Sequence, residues 1–379
     1  MYNTKFKLQR RSHMHGIGVL QIEPTDYCNL SCQMCKPHHQ HWSQIHGIPK
    51  GFLSIELFDS IVDGFLMENI EFDHIIFQWL GDPLLHPKIE VLLQKAQRMK
   101  QNIKYLRMDT NGIALDDQRI QNILQSAIEG APLLIVFSVD AFSSEVYQEV
   151  KGGDYRDRVF RNIRHFIRKR RILGHTCHVN IQIQFVVQQQ NYHEILPFLQ
   201  YFVDVLGCQG SSDWHDEILF KPLSVDGGGK GQQKADRLYQ SVLPLIQTLS
   251  HSNQAKNKDK HSSVAIKTWS VRPWQQNKET DHKISPKSAC PGLWMTPVIR
   301  HDGELLLCCA DLQSEMALGN LRKNSFLKLW NSPKALQKRK EHLEGIFRGV
   351  CEGCGGINWY TLTPKMIRDT QQQIQDYFG

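Results

Sequence analysis

The sequence predicts an α/β protein: a parallel sheet of βα units curled into an open or closed barrel, followed by a smaller cysteine-bearing region. Three observations carry this. Short apolar, β-branched runs alternate with longer helical patterns through the first 230 residues, as parallel βα units require. Six such runs can be counted, and right-handed crossovers curl a sheet of that kind. The 379 residues leave room for one large core and a smaller second one.

Each element follows from its pattern. "GVLQIEPT" (18–25) reads as a buried strand, and "IELFDSIVDGFL" (55–66) as a helix with apolar residues at helical spacing. "FDHIIFQWL" (72–80), "IKYLRMDT" (103–110), "PLLIVFSVD" (132–140), "HVNIQIQFVV" (178–187) and "EILFKPLSV" (217–225) are the remaining strands. Helices are expected at 87–100, 116–127, 156–171, 192–206 and 233–250. Residues 250–288 hold few paired apolar positions and read as a polar linker or mobile loop. In parallel sheets of this kind the loops after the strands' C-terminal ends carry the chemistry. The first cysteines, "LGDP", "TNG" and "SVDA" all fall in those loops.

Composition narrows the class. No run of 18 apolar residues appears, so no membrane span is expected. The basic start lacks the apolar core and cleavage site of a signal peptide, which makes cytoplasmic residence the expectation. In that setting clustered cysteines point to metal rather than disulfides. A net charge of +7 is modest for this length. "RDRVFRNIRHFIRKRR" (156–171) has the charge of a nucleic-acid patch, but Val159, Ile163, Phe166 and Ile167 recur at helical spacing. A solvated helix face is therefore expected there, and no nucleic-acid partner. Cys177 and Cys208 read as core residues.

Cys28-x3-Cys32-x2-Cys35 sets three thiols on one short loop after the first strand. Three thiolates can converge on one face of a cubane iron–sulfur cluster and leave its fourth iron without a protein ligand. An open position is what catalysis needs and what a structural site avoids. This spacing, followed by barrel-like βα units, resembles the signature of the radical S-adenosylmethionine (radical SAM) superfamily. The residue before the last cysteine, often aromatic in relatives, is here Met34. "LGDP" (80–83) is similar to the family's Gly-Gly-Glu-Pro turn, so the resemblance implies Gly81 and Asp82 at the SAM amino group. "TNG" (110–112) is common in the family, and "FSVDA" (137–141) resembles its ribose-binding segment, which nominates Ser138 and Asp140. Lys151, in "VKGG", falls where relatives often have an arginine for the SAM carboxylate.

Cys290, Cys308, Cys351 and Cys354 form a second set. Four thiolates suit a structural zinc ribbon equally well. The context, "CPGLWMTPVIRHDGELLLCC" followed by "LGNL" (318–321) and "LW" (329–330), resembles the C-terminal SPASM/twitch extension of radical SAM enzymes. No cysteine follows Cys354, so the resemblance implies a shorter version with one auxiliary [4Fe–4S] cluster, the layout of 2-deoxy-scyllo-inosamine dehydrogenase-like enzymes. Cys308 and Cys309 are adjacent; the Gly303-x4-Cys308 spacing selects Cys308.

The fold then expected is a partial (β/α)6 TIM-type barrel with a small C-terminal iron–sulfur domain. Its parts are a segment 1–17, the core 18–249, the linker 250–288, the auxiliary-cluster domain 289–362 and a helical tail 363–379. The resemblance implies reductive cleavage of SAM to a 5′-deoxyadenosyl radical, which removes a hydrogen atom from substrate, with electrons from a donor such as flavodoxin or ferredoxin. The auxiliary cluster either accepts an electron from the substrate radical or shapes the pocket. Dehydrogenation also needs a proton acceptor; Asp311 is the candidate, with a capped turn as its structural alternative. Two substrate classes stay open: an amino sugar or cyclitol oxidised at an alcohol, and a ribosomal peptide. The first strand begins by about residue 18, leaving no precursor-recognition domain ahead of it, which leans toward small molecules. A zinc-ribbon RNA-binding protein is the reading from another class.

Overall fold

The computed structural model describes residues 17–35, 49–128, 130–207, 216–224, 229–256, 264–269, 289–354, 356–357 and 359–378. Nearly all of the N-terminal segment, Cys208 and much of 250–288 lie outside the described residues.

The six expected strands are present as β1 (Ile17–Ile22), β2 (Phe72–Phe77), β3 (Tyr105–Thr110), β4 (Leu133–Ser138), β5 (Val179–Val187) and β6 (Glu217–Pro222). They pair in sequence order and all in parallel. The helices between them are α1 (Ile55–Met67), α2 (Ile89–Ala96), α3 (Asp117–Ser126), α4 (Ser144–Lys151), α5 (Arg156–Leu173) and α6 (Ile195–Gly207). Ser54, Asp116 and Ser143 cap α1, α3 and α4 by accepting from backbone N–H groups one turn on, which satisfies donors the helix itself cannot. The α4 helix, eight residues closed by Gly152 in the left-handed region, is not among the helices expected.

Strand alternation separates two environments. On β3 and β5, Leu106, Met108, Ile181, Ile183 and Phe185 join the core under the helices. Arg107, Asp109, Gln182 and Gln184 alternate with them and face the barrel interior. Of the arginine-bearing helix α5, Val159, Ile163, Phe166 and Ile167 are buried as expected. Arg158, Arg161, Arg164 and Arg168 lie exposed on its solvated face, as expected, while its other arginines are engaged within the fold. Arg170 is buried against Asp216 at 2.7 and 2.5 Å, Arg156 lies 4.0 Å from the Phe160 ring, and Arg171 donates to Val205 and Leu206.

Two features extend the sheet. Within the expected linker, α7 (Gly229–Lys256) runs six residues past its predicted end and β7 (Ala265–Thr268) pairs with β6 as an edge strand. At four residues, half of them exposed, β7 is too short for a periodic signal. The C-terminal region folds as α8 (Gly292–Met295), β8 (Val298–Ile299), β9 (Glu304–Leu306), β10 (Ala317–Asn320), α9 (Phe326–Trp330), α10 (Pro333–Leu343), α11 (Val350–Gly353) and α12 (Pro364–Phe378). It is not a detached unit. Strand β8 pairs with β1 in parallel, so one ten-stranded sheet runs β10-β9-β8-β1-β2-β3-β4-β5-β6-β7. Among the described residues no helix is long and apolar enough to cross a membrane.

Candidate active site

The cysteine loop follows β1 and is held from three sides. Thr25 Oγ1 donates to the Gly51 carbonyl at 2.7 Å, and Asp26 accepts from the Gly51 N–H at 3.0 Å. From β2, the Asp82 N–H donates to the Tyr27 carbonyl at 2.8 Å. Gly81 beside it has no room for a side chain, since a Cβ would stand 2.2 Å from the Thr25 carbonyl oxygen. The glycine of "LGDP" thus admits the protein's own cysteine loop. At the third side Gly152 ends α4 in the left-handed region, φ +74°, and presses against the Ser31 carbonyl.

Asp82 is the knot of the rim. Buried at 4% exposure, it accepts from Leu84 N–H at 2.9 Å, Asn111 N–H at 2.7 Å and the Thr110 hydroxyl at 2.9 Å. Burial pushes its carboxyl up from the ordinary range, against the pull of those donors. One carboxylate thereby ties the β2 and β3 loops together. Asn111 in turn donates to Asn29 at 2.7 Å and lies 3.9 Å from Cys28 Sγ. The "TNG" segment flagged that loop but not this contact.

At the end of β4, Ser138 accepts from Gln184 Nε2 at 3.1 Å. Asp140 adopts φ +63°, a region Asp tolerates better than most residues, and accepts from the Val186 N–H at 2.8 Å. Lys151 reaches across from α4 to Asp140 at 2.7 Å and to the Ser138 carbonyl at 3.0 Å. Burial opposes the Lys151 charge, but Asp140 and Cys32 hold its pKa above the ordinary lysine value. The structure thus brings Ser138, Asp140 and Lys151 into one buried cluster beside the cysteine loop, with Lys151 engaged by Asp140.

The three loop thiols share one environment. Burial pushes Cys28 up to about 12, and Asp82, Cys32 and Cys35 add to the shift. Cys32 is raised by burial too, with Lys151 opposing. Metal binding to such thiols releases their protons.

The second set converges around Gly292. A Cβ there would lie 3.2 Å from Cys308 Sγ and 3.4 Å from Cys290 Sγ, so the missing side chain leaves a cradle between two sulfurs. Burial pushes Cys351 up to about 12, with Cys308, Cys354 and Cys290 contributing. The Gly356 N–H donates to Cys354 Sγ at 3.3 Å, and Thr296 Oγ1 lies 3.8 Å from Cys308 Sγ. Among the described residues no three His, Cys, Asp or Glu groups stand close enough to share a single metal ion. A cluster distributes its thiolates over separate irons and asks for no such convergence.

Asp311, the candidate proton acceptor, is fully buried. Its two oxygens accept from the Glu315 and Met316 N–H groups at 2.9 and 2.7 Å, which caps the turn after Cys308 and Cys309. Sequence reasoning missed another buried carboxylate. Glu23, just past β1, bonds His301 Nδ1 at 2.9 Å across 278 residues. No local pattern could show that pairing.

A model of the radical SAM superfamily matches residues 22–183, and one of the SPASM iron–sulfur cluster-binding domain matches residues 290–355. The chain belongs to the radical SAM superfamily. It is a radical SAM enzyme with a C-terminal SPASM domain, and its cofactors are iron–sulfur clusters and SAM. Among curated relatives, the tungsten-containing aldehyde ferredoxin oxidoreductase cofactor-modifying protein of Pyrococcus furiosus is 22% identical over 334 residues, 83% of this chain and 81% of the relative. GTP 3',8-cyclase 1 of Mycobacterium tuberculosis is 26% identical over 244 residues, 60% of this chain and 61% of the cyclase. The solved structure of native anSMEcpe with bound AdoMet and Cp18Cys peptide shares the fold at TM-score 0.60 and 18% identity, covering 95% of this chain and 96% of that one.

Proposed function

We propose that this radical SAM enzyme oxidises a polar small molecule, of the amino sugar or cyclitol kind, in a biosynthetic pathway. Cys28, Cys32 and Cys35 hold a [4Fe–4S] cluster with one open iron for SAM, while Cys290, Cys308, Cys351 and Cys354 hold an auxiliary [4Fe–4S] cluster. When bound, cluster and SAM supply one-electron cleavage of the sulfonium and hydrogen-atom abstraction from substrate. The chain's own residues bind, orient and shelter. Asp82 holds the β2 and β3 rim loops against the cysteine loop, and Ser138, Asp140 and Lys151 form the polar wall for the nucleoside and carboxylate ends of SAM. The apolar core beneath the helices seals the site from behind.

One observation carries the substrate class. The barrel interior is lined by charged and amide groups: Arg107 grips Asp109 through two 2.6 Å bonds while both stay partly accessible. Gln182 and Lys267 bond Glu217 one strand pair away. A lumen of this character suits a compact solute rich in hydroxyl and amino groups. The names of the curated relatives, a cyclase of GTP and a cofactor-modifying protein, support small-molecule chemistry. Peptide substrates, as in the anSMEcpe complex, are the other outcome of the test.

The test is SAM cleavage after anaerobic reconstitution. Wild-type protein should hold about eight irons per chain and release 5′-deoxyadenosine. Changing Cys28, Cys32 and Cys35 to Ala should abolish that release while the auxiliary irons remain. Release that survives the three changes refutes the assignment. Faster turnover with a panel of amino cyclitols than with peptides supports the substrate class, and the reverse overturns it.

A further inference from the structure

The barrel has an open flank. In sheet order β7 pairs with β6 alone among the described strands, while β1 pairs with β2 and β8, so β1 and β7 share no hydrogen bonds. The residues that follow the last cysteine lie across this gap. On the β7 side, the Trp359 ring packs on Trp269, the residue just after that strand, with centroids 5.9 Å apart. On the β1 side, the Tyr360 hydroxyl donates to Asp73 at 2.9 Å. The Tyr360 ring fills the space where a Cβ on Gly18 would come within 2.7 Å. Glycine weakens a strand interior and often marks a close approach by another group. Here two groups approach, the Tyr360 ring and the Met295 carbonyl oxygen, which a Cβ would meet at 2.8 Å.

The root of the same segment is bound to an auxiliary thiol. The Gly356 N–H donates to Cys354 Sγ at 3.3 Å. Ile357 is buried. The described residues Gly356, Ile357, Trp359 and Tyr360 thus form a strap that begins on a cluster ligand, Cys354, and ends on the two unjoined flanks of the barrel.

We propose that the auxiliary site is the clasp of the reaction cavity: its cluster fixes the root of the strap, and Trp359 and Tyr360 then close the side wall that β1 and β7 leave open. This rests on the reading of Cys290, Cys308, Cys351 and Cys354 as an iron–sulfur site. Ligation pins Cys354 to one rigid body, and therefore pins the strap's first hydrogen bond. Trp359 and Tyr360 act here as positioning residues. A strap that lets go admits water to a site whose chemistry requires its exclusion.

Hydrogen–deuterium exchange on the anaerobic full-length protein tests this without reference to turnover. The variant Cys351→Ala removes an auxiliary ligand that lies outside the strap. It should lose about four of eight irons, and the amides of Gly356, Ile357, Trp359 and Tyr360 should exchange at least tenfold faster, with β3–β5 unchanged. Loss of those irons with the strap still protected overturns the clasp. A wild-type protein with only about four irons overturns the auxiliary reading beneath it, which separates the two failures. The variant Tyr360→Ala works from the other end. It removes the bond to Asp73 and the ring over Gly18, and should raise strap exchange while the iron count stays at about eight; unchanged strap protection there also overturns the proposal.

Discussion

Replacing His301 by Phe should strand a buried charge. The Glu23 carboxylate is 1% exposed, and one of its oxygens, Oε1, has no hydrogen-bond partner among the described residues. The other is held by His301 Nδ1 at 2.9 Å and by the His301 N–H at 3.3 Å. Gly51 leaves room for the imidazole, since a Cβ there would stand 2.7 Å from the ring, and a phenyl ring fills the same space. The His301→Phe variant therefore keeps the packing and removes the counter-charge. Breaking a buried pair on one side costs about 3–5 kcal/mol, which for a chain of 379 residues is a fall in Tm of about 4–6 °C. The double variant Glu23→Leu/His301→Phe should recover most of it, because no charge is then left unpaired. The pH dependence has a fixed sign. Burial disfavours the imidazolium, but Glu23, Asp26 and Asp302 outweigh it and raise the His301 pKa. A raised histidine pKa contributes stability that is complete below about pH 6.5 and lost as pH rises through the folded value. The Tm gap between wild type and His301→Phe should be widest near pH 6 and narrow toward pH 9. Thermal unfolding of the loaded proteins across that range measures it. A gap under about 1 kcal/mol at pH 6, or one indifferent to pH, refutes the reasoning.

Three further outcomes follow from particular contacts. Gly81→Ala puts a Cβ 2.2 Å from the Thr25 carbonyl oxygen; because backbone cannot yield there, cluster affinity at the Cys28 loop should fall about 10–100-fold, read as iron retained against a chelator. Gly292→Val fills the cradle between Cys290 and Cys308, and iron analysis should drop from about eight to about four per chain, with SAM cleavage preserved. Arg170→Met should cost about 3–5 kcal/mol in urea unfolding by leaving Asp216 buried without the bidentate partner it holds at 2.7 and 2.5 Å. Arg170→Met/Asp216→Leu should come close to wild type, and equal losses in the two variants would remove the pair from the account.

What the sequence shows of this molecule follows from range. Strands β1–β6 are legible because each is a short apolar run between turn residues, and the three loop cysteines are legible because eight residues hold them all. The C-terminal set spans 65 positions, from Cys290 to Cys354, and is legible only through the spacing of its context. Contacts between distant residues leave no such trace. Glu23 and His301 are ordinary in their own neighbourhoods; β8 beside β1 brings them together. The linker reading of 250–288 misses β7 because an edge strand of four residues needs only one partner and buries little.

The glycines show most plainly how the two levels join. Gly81, Gly292 and Gly18 each sit where a side chain would press on a group distant in sequence: the cysteine-loop backbone, the Cys308 thiol, and the Tyr360 ring with the Met295 carbonyl. In sequence all three read as turn or strand punctuation. In space they are points at which the barrel, the cysteine loop and the C-terminal region are pressed together, as are Gly51 against His301 and Gly152 against Ser31. The rim is thus assembled by withheld side chains as well as by the carboxylates of Asp82 and Glu23. One added methyl group at any of these glycines tests a different joint between the two cysteine sites.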